Sequence, residues 1–289
     1  MVCFALATVY LLSVRTVRKE SDMKRITSAR CINCIPEVVP KKRSNNKKLK
    51  LLITNERIDW GFKQSILMIQ SRLQQIMRRT GDKVLLITST IPAEGKTMTS
   101  VNMALAFAQE GMKVALLDGD LRKPSVSELM KLPEGPGLTE YFRGESTPEE
   151  IQVVKDGVTF FRAGQKKGKV SGLIDEEKMN SLLEKLRKEY DVILMDAAPS
   201  YVFSDAMILS SYADKVLYVV RVDKADAKEI RVGMNSFEEK EKLIGYVINR
   251  DTGGYISQSG YGYGRYGKYQ KYRKYAELDE ETMNTEDTL

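Results

Sequence analysis

The 289-residue sequence has no histidine, only three cysteines (Cys3, Cys31 and Cys34) and no apolar run of full membrane-spanning length. Three cysteines make no disulfide framework and suit a reducing cytoplasm. The CxxC spacing of Cys31 and Cys34 is one pair only, and without histidine it cannot be completed to a tetrahedral zinc site. The apolar stretch "MVCFALATVYLLSV" at 1–14 would span about 21 Å as a helix, short of the ~30 Å hydrocarbon core. Basic residues follow it rather than precede it, which argues against a signal peptide and for a shallow anchor or the inner part of a membrane helix, with the downstream chain cytoplasmic.

The net charge of +7 is a regional property. Residues 15–50 carry twelve Lys or Arg against Glu20, Asp22 and Glu37. The remaining chain is slightly acidic, so no nucleic-acid partner is expected of the core. The run "KKRSNNKKLK" at 41–50 suits an anionic membrane surface instead. The chain therefore divides into a membrane-proximal apolar segment and basic linker (1–50), one folded domain (51–250) and a flexible tail (251–289).

Within the domain, apolar spacing predicts a helix over 58–79. Apolar runs at 83–89, 113–118, 158–163, 191–196, 215–222 and 243–249 predict strands, separated by helical stretches near 96–110, 175–189, 204–212 and 225–242. The segment 121–157 reads as loop and short helix. Apolar runs without strict alternation fit strands covered on both faces, so the expected class is α/β with a doubly wound, mainly parallel sheet.

The first strand runs into "STIPAEGKTMTSVN". Gly95-Lys96-Thr97 opening a helix after a buried strand is the core of a P-loop. In that reading Gly95 would admit backbone amides to phosphate oxygens, Lys96 would bridge the β- and γ-phosphates, and the Thr97 hydroxyl would ligate Mg²⁺; the alternative is a strand–helix turn with a capping threonine. Thr90 stands where GxxxxGK[ST] has its first glycine. Asp118 and Asp120 end the second strand in "LLDGDLRKP", and Asp196 ends another in "VILMDAAP". Ligands of open α/β sheets sit at the carboxyl ends of strands, where these carboxylates and Lys96 converge. Carboxylates that close repel one another unless a cation relieves them.

These three motifs, followed by a tyrosine-rich tail, resemble the bacterial tyrosine kinases of capsule and exopolysaccharide systems. The resemblance covers roughly 50–289, and its most specific element is D-x-D-x-R, met by Asp118, Asp120 and Arg122. It implies the deviant Walker-type P-loop NTPase fold, with ATP and Mg²⁺ as cofactors. Glu94, Gly95, Lys96, Thr97, Met98, Arg122, Asn249 and Arg250 would bind nucleotide. Thr97, Asp118 and Asp196 would hold the metal, and Lys96, Asp118, Asp120 and Asp196 would serve catalysis, with the base left open among the acidic cluster. Two departures are Ala93 for the usual glycine and Ala198 for a common proline. The assembly motif E-x-x-R-x-x-R is not legible, one register giving Trp60, Lys63 and Ile66. Implied partners are a membrane-spanning chain-length regulator, further subunits of the chain itself and a protein-tyrosine phosphatase, at the cytoplasmic face of the bacterial membrane. The alternative is a non-kinase ATPase switch of the division-positioning or partitioning type, although those relatives lack the tail and carry a lysine where this chain has Ile91.

The tail holds Tyr255, Tyr261, Tyr263, Tyr266, Tyr269, Tyr272 and Tyr275, half of the fourteen tyrosines in the chain. Every charge from 255 to 275 is basic. Alone this reads as a sticky, RNA-binding composition. Beside an acidic phosphate site it reads as a row of phosphoacceptors, each phosphate adding about −1.5 to −2 and reversing the sign of the tail.

Overall fold

The computed structural model describes residues 16–38, 50–165 and 172–252. Its centre is an eight-stranded sheet in the order β1-β8-β7-β2-β6-β3-β5-β4. The strands are β1 (Cys31–Pro36), β2 (Val84–Ser89), β3 (Val114–Asp118), β4 (Gln152–Lys155), β5 (Val158–Phe161), β6 (Val192–Asp196), β7 (Lys215–Arg221) and β8 (Leu243–Asp251). All neighbours are parallel except the β4–β5 hairpin. Every residue of β2, β3 and β6 is buried. Two covered faces are why these strands are apolar throughout and do not alternate.

The helices are α1 (Glu20–Met23), α2 (Trp60–Thr80), α3 (Lys96–Gln109), α4 (Val126–Met130), α5 (Leu138–Arg143), α6 (Glu176–Glu189), α7 (Asp205–Tyr212) and α8 (Ala227–Glu238). In α2 the Asp59 side chain caps the first turn by accepting from the Gly61 amide, and Gly81 ends the helix at φ 75°. Phe62, Ile66, Ile69, Leu73 and Met77 form its buried stripe, each contributing about 1.5–3 kcal/mol of transfer free energy before entropy is counted. Ile66 is thus committed to the core, so the register Trp60, Lys63, Ile66 does not form one exposed assembly face.

The expected boundary at residue 51 does not hold. Cys31–Pro36 adds β1 parallel to β8 at the sheet edge, and Thr16 forms an isolated bridge with Asp226. Val17, Met23, Ile32, Cys34 and Ile35 are buried. The physical reason is that β8 would otherwise be an open edge beside α2. Ile32 and Ile35 cover apolar surface there, and the Asn33 side-chain amide donates to the Ser65 carbonyl of α2 at 3.3 Å. The pair Cys31 and Cys34 lies in this strand with both thiols free; hydrogen bonding with Cys31 and burial push the Cys34 thiol upward.

β5 lies where the strand at 158–163 is expected, but β4 and the turn between them fall in the stretch expected to be loop and short helix. That turn, Asp156-Gly157, has φ 48° and 76°, and Asp-Gly is a strong signal for such two-residue turns. Among the described residues no helix is long and apolar enough to cross a membrane. Residues 1–14, the basic run up to 49 and the tyrosines from 255 to 275 lie outside the described residues.

Candidate active site

Strand order decides where the chemistry-bearing residues meet. β6 lies between β2 and β3, and the β3–β6 register sets Asp118 directly beside Asp196. The P-loop leaves β2 on the same edge and feeds α3. Three motifs far apart in sequence thereby share the carboxyl end of adjacent strands, as open α/β sheets require of a ligand site.

Lys96 is 8% exposed. Its Nζ stands 2.7 Å from Asp120 Oδ2, 3.5 Å from Asp196 Oδ2 and 3.3 Å from Thr97 Oγ1. Thr97 donates to Asp196 Oδ2 at 2.6 Å, and Ser100 donates to Asp196 Oδ1 at 2.9 Å. Ser100 was not anticipated from sequence. It lies one helical turn after Lys96, and i,i+4 spacing on α3 was the available signal. Burial by itself would lower the lysine pKa, but the charges of Asp196 and Asp120 outweigh it and raise it. Burial, then the charge of Asp196, pushes Asp118 well up; burial also raises Asp196, although Lys96, Thr97 and Ser100 oppose it.

Among the described residues no side chain caps the α3 N-terminus. Its first-turn amides, including those of Lys96, Thr97 and Met98, therefore remain free to meet an anion. Gly95 is required twice over: its φ is 96°, and a Cβ there would run into the Asn249 side-chain amide. That amide donates to the Glu94 carbonyl at 2.7 Å, so Asn249 braces the P-loop from β8.

Three of the anticipated nucleotide contacts point elsewhere. Glu94 is fully buried and turned into the loop, accepting from the Ile91 amide at 2.8 Å and the Arg221 amide at 3.2 Å. Burial in that position raises its carboxyl to about 7. Arg122 forks onto Asp205 at the start of α7, and Arg250 lies 3.6 Å from Glu37. In each case a nearer partner within the fold takes the side chain.

Thr90 is explained by its neighbours. Its hydroxyl accepts from Tyr218 at 3.2 Å, and Tyr218 also meets Ser200 at 2.9 Å. A glycine there would forfeit this tie between P-loop and sheet. Ala93 has φ 67° and is exposed, so its methyl sits in left-handed backbone at a cost of about 1–2 kcal/mol. Replacing Ala93 by Gly is expected to stabilise the protein by about 0.5–1 kcal/mol after the extra unfolded-state entropy is subtracted, read as a rise in thermal midpoint. A lower midpoint would mean that the methyl makes a contact worth more than the strain.

The donor set suits a nucleotide with a divalent metal, the ligand pair that the P-loop NTPase fold takes. Asp118 Oδ1 is buried and has no hydrogen-bond partner among the described residues, so it is an acceptor that needs a cation or donor. Three carboxylates also face a single lysine. Among the described residues no group of three or more His, Cys, Asp or Glu is placed to hold a metal ion. A divalent cation bound beside phosphate needs only one or two carboxylates and takes its other oxygens from phosphate, hydroxyl and water.

Comparison with known proteins gives the same direction. The ParA family model, described as NUBPL iron-transfer P-loop NTPase, matches residues 81–226. The tyrosine-protein kinase CpsD of Streptococcus pneumoniae is 34% identical over 184 residues, covering 59% of this chain and 78% of that protein. The tyrosine-protein kinase ptk of Acinetobacter johnsonii is 27% identical over 198 residues, 66% of this chain but only 27% of that protein. The chain thus spans about a quarter of the longer relative. Among solved structures, the kinase domain of Escherichia coli tyrosine kinase ETK superposes with a TM-score of 0.72 at 25% identity, covering 81% of this chain and 94% of that one.

Proposed function

Because this chain belongs to the bacterial tyrosine-protein kinases, we propose that it phosphorylates tyrosines of its own tail (Tyr255, Tyr261, Tyr263, Tyr266, Tyr269, Tyr272 and Tyr275) using ATP and Mg²⁺. The observation that carries this reading is the buried cluster in which Lys96 faces Asp118, Asp120 and Asp196 at the mouth of an uncapped helix. ATP supplies the phosphoryl group, and Mg²⁺ offsets its charge.

The chain's own residues do the rest. Lys96 holds the phosphates by trading part of its contact with Asp120 and Asp196. Thr97, Asp118 and Asp196 hold the metal. The first-turn amides of α3 orient the anion. Asp118 or Asp120 takes the phenol proton, a transfer that a group with an ordinary pKa near 10 needs help to make. Unmodified, the basic tail is attracted to this acidic site. Phosphorylated, it is repelled.

The wider reading is regulation of capsule or exopolysaccharide synthesis or export at the cytoplasmic face of the bacterial membrane. There a membrane-spanning regulator activates the kinase, other copies of the chain present their tails, a phosphatase resets them, and the basic run 41–50 meets anionic lipid.

The purified 289-residue chain incubated with Mg-ATP and a membrane-regulator fragment should gain phosphate on tyrosines between Tyr255 and Tyr275, mapped by mass spectrometry. ATP hydrolysis without phosphotyrosine would replace the kinase reading by the nucleotide-switch reading. Neither hydrolysis nor nucleotide binding would overturn both.

A further inference from the structure

Arg122 belongs to the D-x-D-x-R motif, yet its side chain leaves the phosphate site. Its Nε and Nη2 both donate to the Asp205 carboxylate, the Nη2 bond being 3.1 Å, and its guanidinium lies 4.6 Å from the centroid of the Phe203 ring. Asp205 opens α7 and is 7% exposed. A planar fork on a carboxylate with an aromatic floor is a directional contact that a lysine cannot reproduce.

What hangs from this contact is the loop after β3. The Lys123 amide, next in sequence to Arg122, donates to Asp120 Oδ1 at 3.0 Å. The other oxygen of Asp120 meets Lys96 at 2.7 Å. Further along the loop, the Val126 amide donates to Asp118 Oδ2 at 3.1 Å. Both carboxylates therefore take their orientation from backbone amides of a segment whose only helix, α4, has five residues, too few to be stable alone. Asp205 stands nine residues beyond Asp196, at the end of the segment that follows β6. The Arg122–Asp205 pair thus ties the loops behind two acidic strand ends to each other. The direct backbone tie nearby is the Gly119 amide to the Asp196 carbonyl at 2.8 Å.

We propose that Asp205 is a positioning residue for phosphate transfer: by anchoring Arg122 it fixes the Lys123 and Val126 amides, and through them the carboxylates of Asp120 and Asp118. It rests on the kinase reading for its consequence in rate, while its structural half can be read without any turnover. Asp205 itself touches none of the reacting groups. Its loss leaves the α3 amides and Lys96 in place, so nucleotide affinity is largely retained. The transfer step suffers, because a displacement of about 1 Å at a reacting group costs up to two orders of magnitude in rate.

The test uses the full chain with Asp205→Ala, Asp205→Glu and Arg122→Lys. Amide hydrogen exchange at Lys123 and Val126 should accelerate about tenfold or more in D205A and R122K. The phosphate-transfer rate should fall about tenfold at saturating ATP, with the dissociation constant for a fluorescent ADP analogue within about twofold of wild type. D205E should recover part of both. Unchanged exchange at Lys123 and Val126 would overturn the proposal. So would a loss of ADP affinity and thermal stability in step with the rate in all three variants, which would mark a general structural role. If wild type binds ADP and transfers no phosphate, the kinase reading fails, and the exchange measurement still decides whether Asp205 positions the loop.

Discussion

Lys96→Met is expected to abolish tyrosine phosphorylation and, in nucleotide-free protein, to lower stability by about 3–5 kcal/mol, the cost of removing one partner from a buried ion cluster. For a domain of this size that corresponds to a fall in melting midpoint of roughly 10 °C. The cause is specific. Lys96 is the cation within 3.5 Å of Asp120 and Asp196, and methionine keeps the length of the stem without the charge. The deficit should also grow with pH. Folded Asp118 and Asp196 already hold their protons above the usual carboxylate range, Asp118 through burial and the neighbouring Asp196 charge, Asp196 through burial. Without Lys96 they hold them more strongly still. In acid the cluster neutralises itself by protonation and the loss is small. As pH rises that relief is lost. Differential scanning calorimetry at pH 5 and pH 8 reads the difference. A variant melting within about 2 °C of wild type at pH 8 would mean that Lys96 does not neutralise the cluster, and persistent phosphotyrosine in the variant would point to a contaminating kinase.

Glu94→Gln should flatten the pH dependence of stability. The folded carboxyl is raised from 4.5 to about 7 because burial outweighs the amides that donate to it. Between those values the folded chain keeps a proton that the unfolded chain has released. Stability from this group is therefore fullest below about pH 4.5, falls as pH rises, and is fully lost above about pH 7. The shift corresponds to at most about 3 kcal/mol. Glutamine also changes the hydrogen bonds to the Ile91 and Arg221 amides, but that cost does not vary with pH. The stability difference between variant and wild type should accordingly move by up to about 3 kcal/mol in favour of the variant between pH 4.5 and pH 8. Urea titrations at several pH values measure it, and parallel curves for the two proteins would exclude Glu94 as the titrating group. Since Glu94 joins the P-loop to the end of β7, its ionisation loads the loop that faces phosphate.

The sheet was legible because burial on both faces leaves unmistakable apolar runs. "VLLIT", "VALLD" and "VILMD" each occur where a strand was expected, with boundaries within about two residues. The convergence of Lys96 with Asp118, Asp120 and Asp196 was legible for a related reason, since strand ends on one edge of a parallel sheet are neighbours whatever the loops do. Short edge elements were less legible. "CINCIP" carries no long apolar run, and its place in the sheet depends on β8 and α2, which lie more than twenty residues away or at the other end of the chain. β4, the other strand of the β5 hairpin, is not among the expected strands, although Asp156-Gly157 announces the turn between them.

By itself the sequence determined the fold class, the phosphate loop and the acidic residues that face it, because these follow from local periodicity and from the chemistry of short motifs. Only the tertiary structure decided where the long polar side chains go. Arg122, Glu94 and Arg250 each have several reachable partners. Which one wins depends on what other segments bring near: Asp205 from α7, the Arg221 amide from β7 and Glu37 from the end of β1. A flexible side chain spends its charge on the nearest pre-placed partner, and that partner is set by packing between elements distant in sequence.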